Sequence, residues 1–416
     1  MGWMETCPVH QRMRFVVLVE NQEHTFAELC RQFGVSRKTG YKWLARYRAE
    51  GAVGLNPRSR APHRHPQAIS PAIARRCVAV RKTHPSWGPV KVRQWLDTHK
   101  PEIAWPAQST IGELFDRENL TVKRRLRRRS PPSSAPFIAC GEANDVWCID
   151  FKGWFLTDDG SRCEPLTLMD AYSRYLLRCR PVPHIDEDHV WPILAAAFRE
   201  FGLPKGLRSD NGPPFASHGA GGLSKLSVKV IKAGVRPERI APGKPQQNGR
   251  LERLHLTLLQ DTADPPAHSL RQQIARFNSF LRIYNEERPH AALNNKTPIE
   301  HYAPSPRRWD GVLRDPEYHC DAEVRRVRHN GEIKWQGKLV YISTALIGEP
   351  ISLTEDAGGD WTAFFGPIAL GFIAHLSDRL RKPKNHTCGN VDNASALPTS
   401  PQAQQKTAAI REMNRT

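Results

Sequence analysis

The sequence predicts a multidomain protein: an all-α amino-terminal region, an α/β core of mixed sheet with flanking helices, and a small all-β carboxy-terminal domain. Three observations predict it. At 416 residues the chain exceeds what one hydrophobic core ordinarily serves. Apolar spacing is helical to about residue 120, runs through short strands and then strands alternating with helices over 144–303, and becomes short alternating pieces beyond 304. Connectors rich in proline or positive charge, 56–69 and 123–143, separate these regimes. The expected boundaries are 1–55, a linker 56–69, a second helical region 70–122, a basic linker 123–143, the core 144–303, the β domain 304–380 and a disordered tail 381–416.

The first region reads as a helix-turn-helix. Thr25 and Glu28 have capping-box spacing at the start of a short helix, Gly34 ends it, and Ser36 is an N-cap for a helix over 37–48. Ala27, Cys30, Val35 and Leu44 are expected in a small core with Phe15 and Leu18. That leaves Arg37, Lys38, Thr39, Lys42 and Arg46 toward solvent, where a recognition helix presents its groove-reading side chains. A merely solvated basic face has the same pattern.

The second region opens at Ser70-Pro71, an N-cap followed by proline at the first helical position. Helices are expected over 72–82, 90–99 and, from a capping box at Thr110 and Glu113, to about 119; they form a second helix-turn-helix-like module or a spacer. The block Lys123, Arg124, Arg125, Arg127, Arg128 and Arg129 is too dense in like charge to pack and is expected to meet an anion.

In the core, strands are expected over 146–155, 164–170 and 175–182, with a turn at 158–160. A helix over 187–201 precedes a strand delivering Asp210; then follow a helix over 223–233, a strand over 236–240 and helices over 246–260 and 269–284. After 304, five strands over 323–327, 333–335, 339–342, 351–353 and 361–365 suggest a small barrel or sandwich.

Composition narrows the partners. Lys and Arg number 61 against 42 Asp and Glu, a formal charge of +19, which favours a polyanion. No run of about 18 apolar residues exists, so no membrane span is expected, and the apolar stretch 15–19 is too short for a signal peptide. The nine cysteines include no C-x-x-C pair and are expected as reduced thiols in a cytoplasmic protein. Cys7, His10, His24 and Cys30 lack the paired-ligand spacing of a zinc module.

Three acids stand out against this basic background. Asp150 closes the apolar run Val146-Trp-Cys-Ile-Asp150; Asp210 follows a strand and begins Asp210-Asn-Gly212; Glu252 follows Lys244-Pro-Gln-Gln-Asn-Gly-Arg250-Leu. Taken singly, the first reads equally as a strand-end cap, the second as a turn and the third as a partner of neighbouring Arg. Together they resemble the DDE catalytic core of insertion-sequence transposases and retroviral integrases. Leu168-Met-Asp-Ala-Tyr-Ser-Arg174 and Tyr284-Asn-Glu-Glu-Arg-Pro-His290, with Leu293 and Thr297-Pro298, extend the resemblance, which covers about residues 1–305 and is strongest over 145–300.

The resemblance implies an RNase H-like core and a bacterial, nucleoid-associated transposase. Asp150, Asp210 and Glu252 would be its catalytic residues and metal ligands, with two Mg2+ or Mn2+ ions per active site. Its substrate would be double-stranded DNA, both element ends and target, handled by a dimer or larger homo-oligomer. Asn211, Gln247, Asn248 and Arg250 are candidates to hold phosphates or bases beside the acids. One departure concerns the 42-residue spacing from Asp210 to Glu252, longer than usual in the family; the excess falls in the glycine-rich 218–225, expected to loop out without moving the acids. The competing expectation is a sequence-specific helix-turn-helix regulator whose integrase-like core is inert.

Overall fold

A computed structural model describes residues 7–59, 68–121, 139–240 and 249–381 save 357, 376 and 378. The basic block 123–129, Gln247, Asn248 and nearly all of the expected tail lie outside the described residues. The chain divides into two compact units, Met1–Ile69 and Ser70–Thr416. Among the described residues no helix is long and apolar enough to cross a membrane.

The first unit is a three-helix bundle of α1 (Pro8–Glu20), α2 (Phe26–Gln32) and α3 (Arg37–Glu50), closed by a 3-10 turn, Gly51–Leu55. Both bonds of the Thr25/Glu28 capping box form, and Ser36 accepts from Thr39 N at the head of α3. The helices approach closely at Gly40, where a Cβ would lie 2.8 Å from Phe26 and 2.9 Å from Phe15. A glycine inside a helix costs about 1 kcal/mol of propensity; here it admits two aromatic rings to the core. Phe15, Val16, Leu29, Cys30, Leu44 and Leu55 fill that core, while Val35 and Leu18 pack at its edge.

The second unit begins with α4 (Pro71–Thr83), α5 (Pro89–His99) and α6 (Gln108–Arg117), packed around Trp87, Trp105, Ile111 and Phe115. Ser70 caps α4 as expected. The Thr110/Glu113 box does not form: α6 starts a turn earlier, with Ala107 at its N-cap, because Ile111, Leu114 and Phe115 must all face the core and carry Thr110 inside the helix. Asn119, in the left-handed region at φ 55°, follows its end.

The core sheet comprises β1 (Val146–Phe151), β4 (Pro165–Asp170), β5 (Leu176–Pro181), β6 (Gly206–Ser209) and β7 (Arg236–Arg239), with β2 (Phe155–Leu156) and β3 (Arg162–Cys163) forming a separate hairpin. Its order is β5-β4-β1-β6-β7; β1 pairs antiparallel with β4 and parallel with β6. Two-residue alternation explains why β1 is apolar from Val146 to Ile149. Trp147 and Ile149 face α7 (Glu187–Phe201) and α8 (Lys225–Lys232), whereas Val146 and Cys148 face α9 (Gly249–Leu258) and α10 (Leu270–Arg282). This mixed sheet, helix-covered on both faces, is the expected α/β core. The first strand ends at Phe151, short of the expected 155, and the described part of the Glu252 helix passes at Leu259 into a π-helical turn.

The chain then wraps the core before any further strand forms. Tyr302 stacks on Tyr175 at 4.3 Å, and Arg307 donates to Pro204 O and Gly234 O. The all-β region follows: β8 (Glu323–Arg326), β9 (Glu332–Trp335), β10 (Lys338–Tyr341), β11 (Pro350–Glu355), β12 (Trp361–Phe365), β13 (Ile368–Ile373) and β14 (Leu380–Arg381). A five-stranded antiparallel sheet, β14-β13-β12-β11-β8, packs with the β9–β10 hairpin. The last two strands are additional to the five read from sequence.

The glycine-rich insertion has a structural task. Gly221 and Gly222 adopt positive φ; a Cβ on Gly221 would stand 3.1 Å from Ala369 O of β13. Leu223, Val228 and Ile231 join one apolar core with Leu370, Phe365 and Ile351, and Lys232 bridges Asp315 and Glu349. Gly221 and Leu223 of the insertion, together with α8, therefore form the surface on which the β domain docks.

Candidate active site

Strand alternation dictates the position of Asp150. It follows Val146 and Cys148 at intervals of two and so lies on the face covered by α9. Helix α9 buries Leu251, Leu254 and Leu258 at i, i+3 and i+7 and leaves Glu252 exposed beside that buried stripe. Asp210 follows the last residue of β6, which is parallel to β1, so two acids leave the sheet at the same edge. Phe151 packs on Phe215 with ring centroids 5.6 Å apart, tying the end of β1 to the segment after Asp210.

The electrostatics record this convergence. Burial, then Asp210 and then Glu252 push the Asp150 carboxyl up to about 7, although Phe151 N donates to its Oδ1 at 2.8 Å. Burial also raises Asp210, against a bond from the Gly212 backbone. Its Oδ1 is buried without a hydrogen-bond partner. A carboxylate oxygen in that position costs free energy unless a proton, a donor or a cation satisfies it. Gly212 lets the turn close tightly on the acid: a Cβ there would stand 3.0 Å from Asp210 Oδ2.

The three acids do not form one tight cluster. Among the described residues, the only group of metal-capable side chains whose ligand atoms all lie within 4.8 Å of one another is His319, Cys320 and Asp321, an exposed run of adjacent residues. Among the three acids, it is Asp150 whose carboxyl responds to both of the others.

Of the remaining candidates, Asn211 is exposed and donates from its side chain to Ile240 O at 2.7 Å. Arg250 donates to Ala171 O at 2.7 Å, which ties the first turn of α9 to the β4–β5 connection. Arg37, Lys38 and Lys42 are exposed on α3. Thr39 is half-buried and bonds the Ser36 hydroxyl at 3.0 Å, and Arg46 lies over the Trp43 ring, as do Arg12 and Lys42.

The flanking motifs prove to be tethers. Asp170, fully buried, accepts from Asn144 N, Ser173 N and Ser173 Oγ and so closes the β4–β5 turn. Asn285 exchanges two hydrogen bonds with the Leu176 backbone. Buried Arg288 donates to Ser86 Oγ and Asp261, joining the second helical region to the turn that extends α9. Glu238, the other acid in the Asp210–Glu252 interval, pairs across strands with buried Arg208.

Sequence reasoning missed Thr167, His255 and Lys152. Thr167 is the cross-strand partner of Asp150 and donates to its carbonyl at 3.1 Å. His255 Nε2 lies 2.8 Å from the same hydroxyl. Burial and the Lys152 charge hold the His255 pKa down at about 4, so the ring is neutral. The available signal was spacing: His255 lies one helical turn beyond Glu252.

Two models, both described as an integrase core domain, match residues 141–245 and 233–298. A helix-turn-helix domain model matches 11–63, and a homeodomain-like domain model matches 39–115. Over 192 residues the chain is 30% identical to the insertion element IS407 uncharacterized 31.7 kDa protein of Burkholderia multivorans, covering 46% of this chain and 67% of that one. Over 283 residues it is 27% identical to the insertion element IS476 uncharacterized 39.2 kDa protein of Xanthomonas euvesicatoria, covering 66% and 78%. Among solved structures, the HTLV-2 integrase catalytic core domain in complex with magnesium aligns at 15% identity and TM-score 0.31, covering 39% of this chain and 99% of that one.

Proposed function

The chain belongs to the insertion-sequence transposases that carry a helix-turn-helix region and an integrase core, and on that premise we propose that it binds element ends, cleaves DNA to free a 3′-hydroxyl and joins that end to target DNA. Asp150, Asp210 and Glu252 are its catalytic residues. They would hold two divalent ions, Mg2+ or Mn2+. When bound, such ions stabilise the charge that develops on the entering and leaving oxygens of a phosphodiester. The observation that carries this reading is the half-buried Asp150 at the end of β1, its carboxyl lifted to about 7 by desolvation and by both other acids.

The remaining roles belong to groups around the acids. Arg37, Lys38, Thr39, Lys42 and Arg46 read the element end, while Lys123, Arg124, Arg125, Arg127, Arg128 and Arg129 meet phosphates on either side of it. Asn211, Gln247, Asn248 and Arg250 position the scissile strand. Water is the first nucleophile and the freed 3′-hydroxyl the second; one site serves both because only the attacking oxygen changes. Two ends must be held together, so the working species is a dimer or larger, acting in the cytoplasm on the nucleoid.

The test combines the full chain, duplexes carrying the element's own flanking ends, Mg2+ and a target plasmid. Asp210→Asn and Glu252→Gln are expected to lose at least about 100-fold in cleavage and in joining, while end-binding affinity stays within about threefold. Joining retained by Glu252→Gln would remove that residue from the site. Specific end-binding by the unaltered chain, with no metal-dependent nicking, would establish the passive regulator instead.

A further inference from the structure

Helix α9 must hold Glu252 at a fixed place relative to Asp150. The apolar contacts of Leu251, Leu254 and Leu258 bury area but do not fix register, because packing of leucines tolerates small slides and rotations. Arg250 ties the first turn of α9 to Ala171 in the β4–β5 connection, which is bonded to Val146 O, at the opposite end of β1 from Asp150. His255 supplies a directional link to that strand. Its Nε2 lies 2.8 Å from Thr167 Oγ1, and Thr167 Oγ1 donates to Asp150 O at 3.1 Å. A hydroxyl carries one proton; with that proton directed to Asp150 O, Thr167 Oγ1 can only accept from the imidazole. The tautomer is therefore fixed with hydrogen on Nε2. The chain of donors runs from α9 through β4 to the main chain of Asp150, buried along its length: His255 is 8% exposed and Thr167 fully buried.

We infer that His255 is a positioning residue for the proposed reaction: through Thr167 it sets the Glu252 turn of α9 against the strand bearing Asp150, and so fixes the separation of the two carboxylates. The inference rests on the metal-dependent reading of those acids. The bland alternative is a core histidine with a satisfied nitrogen and no bearing on the acids. The two differ in what the hydroxyl is needed for. A packing role requires the volume of Thr167, whereas a positioning role requires its oxygen.

The experiment measures Mn2+ binding to the full chain without DNA, by loss of the free-ion electron paramagnetic resonance signal, alongside thermal melting in EDTA. Thr167→Val keeps volume and removes the hydroxyl; Thr167→Ser keeps the hydroxyl; His255→Gln keeps a donor close to Nε2; His255→Ala keeps none. Loss of a group that orients metal ligands typically weakens binding about 10- to 100-fold. Thr167→Val and His255→Ala are expected in that range, Thr167→Ser and His255→Gln within about threefold of the unaltered chain. Wild-type affinity in Thr167→Val would overturn the inference, as would equal losses in Thr167→Val and Thr167→Ser. Asp150→Asn separates this failure from failure of the underlying reading. If the unaltered chain binds Mn2+ no better than Asp150→Asn, the metal site itself is refuted.

Discussion

Replacing Asp150 by Asn should make the metal-free protein more stable while destroying its activity. The carboxyl stands at about 7, held up first by burial and then by Asp210 and Glu252. Lifting a carboxyl from its ordinary value to about 7 penalises the ionised form by about 4 kcal/mol at neutral pH and above. Asparagine keeps the shape and can still accept from Phe151 N, so most of that penalty should disappear; about 2–4 kcal/mol is expected once local relaxation is allowed for. The sign fixes the pH dependence. The folded state holds this proton more tightly than the unfolded chain, so its contribution is complete below the ordinary carboxyl range and is lost as pH rises toward 7. The advantage of Asp150→Asn should therefore be about 1–2 kcal/mol at pH 5 and largest near pH 8. Urea denaturation in EDTA at both pH values reads the difference. Adding Mg2+ should raise the stability of the unaltered chain and leave the variant unchanged, because only the former has the ligand set. Equal stabilities in EDTA at pH 8 would refute the electrostatic argument, whatever the variant does to activity.

Two further outcomes follow from packing and titration elsewhere. Gly222→Ala places a methyl 1.8 Å from Arg239 Nη1 at a backbone φ of +68°. The guanidinium can swing away only by giving up its bonds to Gly221 O and Gly222 O; a loss of about 1–3 kcal/mol is expected in urea melts, with faster proteolysis after residue 304. An unchanged midpoint would show that the insertion does not hold the β domain. His290 is pushed down to about 3 by burial, then by Lys91 and Arg288, and its Nε2 has no partner. The unfolded chain protonates this ring below about 6.5 and the folded chain does not, so stability contributed by neutral His290 falls as pH drops. Relative to His290→Gln, the unaltered chain should lose about 2 kcal/mol between pH 7 and pH 5; a constant difference across that range would place the ring in solvent.

The sequence made local structure legible wherever one residue type has one dominant use. Thr25 with Glu28, Ser36 and Ser70-Pro71 each fix a helix start through side-chain bonds made within three residues, and those starts are found where expected. The 187–201 helix is also found at its expected ends, between the Asp186 cap and Gly202 at φ 79°. Thr110 and Glu113 carried the same signal and failed, since burial of Ile111, Leu114 and Phe115 outweighs one cap. What pattern alone could not reveal is pairing over long separations. Asn285 with Leu176, Arg288 with Ser86, and His255 with Thr167 join residues 88 to 202 positions apart. The family motif around Tyr284–His290 was visible as letters, but its work as a brace between helices appears only in three dimensions.

The long interval between Asp210 and Glu252 holds an insertion whose described part packs away from both acids. Chain added between two acids threatens their geometry only if it enters the path that connects them, and here that path is braced at both ends. After Asp210, the Asn211 side chain reaches across to Ile240 O, and β7 runs parallel to β6 with Arg208 paired to Glu238. The inserted residues leave this path before β7 and return to it through α8. Meanwhile they turn outward, where Gly221 and Gly222 meet β13 and Arg239 holds their carbonyls. At the far end, α9 is fixed to the sheet by Arg250 and His255 and to the second helical region through Asp261. Neither acid depends on the insertion for its support. Instead, the inserted residues join α8, whose Leu226 and Val230 face the core sheet and whose Val228 and Ile231 face the β domain, to give that domain a fixed seat.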